Sequence, residues 1–198
     1  MWWLAHTLKE LDYKASYTPT FGLHMSPLEE HAHLLHQQIQ EALETHQVSK
    51  LDVVTYSMGG LLVRALLTLY PDTPIQQLVM IAPPNQGAEM ADWVRRWIPI
   101  HELGWDPLAP LLPKAPNVLE EPPAHIPVGI IAGCKQNGAG YSPWLKEDND
   151  GKVCLSETKL ERDHQWISVK GRHPSLILHP KPLQQVKSFL QSQSFVTD

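Results

Sequence analysis

Ser57 stands where a hydroxyl could be made into a nucleophile. Met58, Gly59 and Gly60 follow it at once, so no loop separates the segments on either side. A serine in such a bend can attack a carbonyl carbon. The backbone N–H of Met58 and the positive end of a following helix then face the oxyanion that develops. That chemistry needs two further groups, a base to take the hydroxyl proton and a buried carboxylate to orient the base. The competing reading is an ordinary strand–helix junction with an incidental serine, since serine and glycine are common turn residues.

The flanking elements favour the first reading. Leu51–Tyr56 is a short apolar, β-branched run of the kind that forms a buried strand. Met58–Leu69 is rich in helix formers, and Leu61, Leu62, Ala65, Leu66 and Leu69 recur on one face. Where strand meets helix the two backbones nearly touch, and small residues relieve the crowding.

Thr55-Tyr56-Ser57-Met58-Gly59-Gly60 resembles the nucleophile elbow G-x-S-x-G of the α/β-hydrolases, with Thr55 in place of the first glycine. Ala82-Pro83-Pro84-Asn85-Gln86-Gly87-Ala88-Glu89 resembles the APPNQGSE of lipase-like hydrolases, with Ala88 for the serine. Asn149-Asp150-Gly151-Lys152-Val153 is similar to the N-D-G-x-V acid segment of bacterial lipases. The likeness covers nearly the whole chain and is closest to the small bacterial triacylglycerol lipases and esterases. It implies hydrolysis of carboxylic esters through an acyl-enzyme. Ser57 would be the nucleophile, His173 the base and Asp150 its carboxylate, and the Met58 N–H would donate to the oxyanion.

Position among eleven histidines supports His173. It follows the last expected strand, at the carboxyl edge of the sheet, where a base can reach Ser57. His179 is the second choice, and His164 precedes that strand. Asp148 would serve an acidic turn as well as Asp150 does, and Asp163 is a further carboxylate. His31, His33 and His36 lie on an upstream helix and are expected to face solvent. They lack companions at metal-ligand spacing, so neither a metal nor a cofactor is expected.

The remaining pattern predicts alternating elements. Met1–Leu11 reads as a helix, Tyr13–Pro19 as a strand, and Ser26-Pro27-Leu28-Glu29 as the start of a helix reaching about His46. Leu28, Ala32, Leu35, Ile39, Ala42 and Leu43 are its expected buried stripe. Strands are expected at Gln77–Ala82, Pro127–Gly133 and Gln165–Lys170, and helices at Ala88–Trp97 and Lys181–Ser192. The implied fold class is α/β, one domain over 1–198, with a mostly parallel sheet and helices on both faces. Residues 98–125 hold seven prolines with Leu103, Trp105, Leu108, Leu111, Leu112 and Leu119. That content favours a cap holding a greasy substrate over an irregular surface loop.

With 198 residues and a net charge of −5 the composition offers no basic stripe for nucleic acid. No apolar run reaches the roughly 20 residues of a membrane helix, so no stable membrane insertion is expected. No export signal is read at MWWLAHTLKE, cytoplasmic is the default, and Cys134 and Cys154 read as reduced thiols. Small-molecule or lipid esters are the expected partners. The resemblance also implies a strand ending in His-Gly whose following loop supplies a second oxyanion N–H, and no His-Gly dipeptide occurs here. The expectation is an N-terminally shortened fold, for which three explanations compete. The start may be misplaced or the sequence truncated; the chain may be short, with Tyr13–Pro19 pairing directly beside Leu51–Tyr56; or another chain, such as a homodimer partner, may fill the open inner edge. Two alternatives to ester hydrolysis follow: a catalytically impaired binding or assembly protein, and an acyltransferase or thioesterase.

Overall fold

The computed structural model describes residues 8, 11, 13–19, 27–97, 111–112 and 119–196. Four parallel strands form its sheet in the order β1-β2-β3-β4: β1 Leu51–Tyr56, β2 Ile75–Ile81, β3 Val128–Cys134 and β4 Gln165–Lys170. The described helices are α1 Leu28–His46, α2 Gly59–Leu69, α3 Glu89–Trp97 and α4 Pro180–Ser192.

Residues in a strand point alternately to the two faces, and both faces of this sheet are covered. Leu78, Met80, Val128 and Ile130 pack with α1 and α2 on one side. Val79, Ile81, Ile131 and Val169 pack with Leu183, Val186 and Phe189 of α4 on the other. Burial on both sides explains why β2 and β3 read as nearly continuous apolar runs. A Cβ at Gly129 would sit 2.6 Å from the Phe189 ring, so that ring occupies the space a side chain would need.

In α1, Ala32, Leu35 and Ile39 are buried, and Glu29 and Glu30 in the first turn suit the helix dipole. Pro27 occupies the cap position without a side-chain hydrogen bond; the serine expected to cap this helix lies outside the described residues. α2 corrects the single-face expectation. Leu61, Val63, Arg64, Ala65, Leu66 and Leu67 are buried, whereas Leu69 is exposed. The helix is covered on more than one side. Arg64 donates to the carbonyls of Asn85, Leu119 and Glu120 at 2.8, 2.6 and 3.2 Å.

Tyr13–Pro19 is not a strand. Its side chains tie it down instead: the Tyr13 hydroxyl donates to Asp52, Lys14 Nζ to the Gln47 carbonyl and the Tyr17 hydroxyl to Gln38. Strand propensity is realised only where a ladder forms, and no described strand pairs with this segment. Tyr13–Pro19 and β1 instead line a common cavity of about 680 Å³. The expected Met1–Leu11 helix falls almost wholly outside the described residues, as does most of the 98–125 cap.

Candidate active site

β1 feeds directly into α2 at Ser57, whose φ of 52° is left-handed. A non-glycine residue there costs on the order of 1–3 kcal/mol and persists only when its surroundings hold it. Here the Ser57 N–H donates to the Ile81 carbonyl at 2.8 Å, and its own carbonyl accepts from Gly60 at 3.0 Å. A Cβ at Gly60 would approach Pro83 to 2.9 Å, so the close packing demands a glycine. At Gly59 the nearest atom would be 3.6 Å away, an ordinary contact, so crowding explains only the second glycine. Thr55 is buried, and its hydroxyl reaches the Val79 carbonyl at 3.5 Å. Met58 caps α2, and among the described residues its N–H has no acceptor.

His173 opens a short 3-10 turn just after β4. Its Nε2 lies 2.9 Å from Ser57 Oγ, and its Nδ1 lies 2.6 Å from Asp150 Oδ2. Both His173 and Asp150 are almost fully buried. Asp150 Oδ1 accepts the Lys152 and Val153 N–H groups, each at 2.9 Å, which leaves Oδ2 to accept from Nδ1–H. That arrangement selects the tautomer whose Nε2 can accept the serine proton.

The loop carrying Asp150 is heavily braced. Asn149, wholly buried, accepts the N–H groups of Tyr141, Ser142 and Gly151 and donates to the carbonyls of Ser142 and Glu147. Asp148 gathers the N–H groups of Lys135, Asn137, Gly138 and Asn149. Burial opposes its charge, but these four donors outweigh burial and hold the carboxyl below its ordinary range. Glu157 goes the other way: burial raises it, although it accepts from Cys154 and Glu89.

The remaining candidates lie elsewhere. His179 caps α4, His164 sits beside the Arg162 carbonyl before β4, and Asp163 is exposed at that same end. His33 and His36 gather around Tyr70: His33 Nδ1 lies 2.7 Å from its hydroxyl, and His36 stacks on the ring at 3.7 Å. His33 is exposed as expected, whereas His36 is half-buried against the Tyr70 ring. No group among the described residues could hold a metal ion, and no described helix is long and apolar enough to cross a membrane. Cys134 and Cys154 are free and buried.

Ala82–Glu89 proves to be a brace. Asn85 donates to the Thr158 carbonyl at 2.8 Å and accepts Arg64 on its own carbonyl. Arg64 was missed in the sequence, although a lone charge inside an apolar helix signals a buried anchor. The bonds of Asn149 were also missed.

A family described only as "Domain of unknown function (DUF7379)" matches residues 20–106. No curated protein matches. Among solved structures, the mature form of lipase BlEst2 from Bacillus licheniformis aligns with 84% of this chain and 74% of its own, at 20% identity and a TM-score of 0.62. The propeptide form of that lipase gives 18% identity and a TM-score of 0.63, and this chain spans 42% of it. Phospholipase PlaB from Legionella pneumophila aligns at 16% identity with a TM-score of 0.59, over 80% of this chain and 41% of its own. The chain thus spans less than half the length of the latter two. At these identities the likeness shows the fold, which is that of the α/β-hydrolases.

Proposed function

We propose that this α/β-hydrolase-fold chain is a serine hydrolase cleaving carboxylic esters, lipid-like or small, through an acyl-enzyme. One observation carries the reading: the unbroken hydrogen-bonded path from Asp150 through His173 to Ser57, at 2.6 and 2.9 Å. The names of the structural neighbours, a lipase and a phospholipase among them, support the same class.

In this reading Ser57 Oγ attacks the ester carbonyl carbon as its proton passes to His173 Nε2. Asp150 accepts the Nδ1–H bond and stabilises the imidazolium. The carbonyl oxygen, now an oxyanion, turns toward the Met58 N–H at the start of α2. Collapse breaks the ester bond, and the departing alkoxide takes the proton from Nε2. Water then attacks the acyl-serine by the same route, releasing the acid and restoring Ser57. No step calls on a metal or cofactor.

A fluorophosphonate probe tests the reading. Labelling that vanishes in Ser57→Ala, with turnover of p-nitrophenyl esters, is the expected result. Preference for acyl-CoA thioesters would move the assignment to a thioesterase or acyltransferase. An unlabelled, well-folded chain would favour a binding or assembly module, a reading supported by the outer edge of β1, which no strand among the described residues pairs.

A further inference from the structure

Tyr56 ends β1 and immediately precedes Ser57, so tyrosine and serine share one bend. Its side chain crosses to the other arm of the site. The hydroxyl donates to the His173 carbonyl at 2.9 Å, and the ring lies against the imidazole with centroids 5.1 Å apart. On its other side the His173 N–H donates to the Asp150 carbonyl at 2.8 Å. The His173 backbone is therefore clamped twice, by the acid's loop and by the bend that holds the serine. Burial, with the nearby Asp150 charge, pushes the Tyr56 hydroxyl up to about 12, so it stays a donor at neutral pH.

We infer that Tyr56 is a positioning residue for His173: it ties the histidine backbone to the bend carrying Ser57, keeping Nε2 in register with the serine hydroxyl. The inference rests on reading Ser57 and His173 as nucleophile and base. Geometry favours the tether because the turn after β4 is only three residues long, His173–Ser175. A one-bond slip of that turn would carry the imidazole off Ser57 while leaving the sheet untouched.

Tyr56→Phe keeps the ring and removes the donor. Its expected result is a fall of about tenfold in kcat and in the fluorophosphonate labelling rate, the effect of about one hydrogen bond. KM and the melting temperature stay where they were. By NMR, the downfield Nδ1 proton of the His173–Asp150 bond shifts or broadens, a readout independent of turnover. Wild-type rate with an unmoved resonance overturns the inference. So does a lost melting temperature with that resonance unchanged, since the hydroxyl would then serve packing alone. If the wild-type chain is unreactive yet the resonance moves in Tyr56→Phe, the tether stands and the ester-cleaving reading falls. Should the phenylalanine variant not fold, fluorinated tyrosine at position 56 alone keeps the shape and ionises at lower pH. The resonance is then expected to change at that lower pH, and an unmoved profile overturns the tether.

Discussion

The two flanks of Ser57 are built to different standards. Toward β3 and β4, Asp150 and His173 are almost fully buried, and the loop behind them spends Asn149 and Asp148 on holding its backbone. On the other flank β1 is an edge strand, and five of its six residues are only half-buried. The N–H groups of Leu51 and Ser57 both point toward β2. By alternation, the backbone groups of Asp52, Val54 and Tyr56 point away from it. Among the described residues they have no hydrogen-bond partner, and the 680 Å³ cavity runs alongside. If the proposed reading holds, one half of the sheet pre-organises proton transfer, while oxyanion stabilisation would rest, among the described groups, on the Met58 N–H and the start of α2.

The largest effect is expected where the braced flank meets the reaction. Asp150→Asn would keep the shape but favour the wrong histidine tautomer, lowering kcat by roughly 10⁴-fold. Steady-state ester kinetics measure it, and a loss under tenfold would mean Asp150 braces the loop without orienting the base.

Next comes a direct contest between the flanks in urea unfolding. Asn149→Ala strands several backbone groups in the interior and is expected to cost about 3 kcal/mol or more. Val54→Ala, on the half-buried edge strand, should cost about 1 kcal/mol. Equal losses would erase the contrast.

The smallest effect concerns acid. The folded-state pKa of Asp148 is depressed, so its contribution is present above the unfolded-state value and is lost as pH falls through the folded value. Wild-type stability should therefore drop on acidification below the ordinary carboxylate range. The drop should be shallower in Asp148→Asn, as urea midpoints at neutral and acid pH would report.

Much of the fold was legible in the sequence. The bounds of β1 and β4 match the expected segments, and β2 and β3 shift by two residues or fewer, because an apolar run between turn residues allows little else. Tyr13–Pro19 misled for the opposite reason: its residues suit a strand, but side-chain bonds hold it and no described strand pairs with it. Leu69, expected on the apolar face, is exposed and Arg64 is buried because α2 is covered on sides that helical periodicity does not describe.

Residue order pointed to Ser57 and His173, since a strand that turns straight into a helix and a histidine just past the last strand are local facts. Asp150 was preferred over Asp148 and Asp163 only through the likeness to the lipase acid segment. Distance is not local. The approach of His173 to Ser57 spans 116 positions and that of Asp150 to His173 spans 23. Those approaches exist only once parallel pairing brings the carboxyl ends of the strands to one edge. The Tyr56 tether and the Asn149 brace belong to that second kind, because hydrogen bonds between distant segments depend on packing that local residue patterns do not specify.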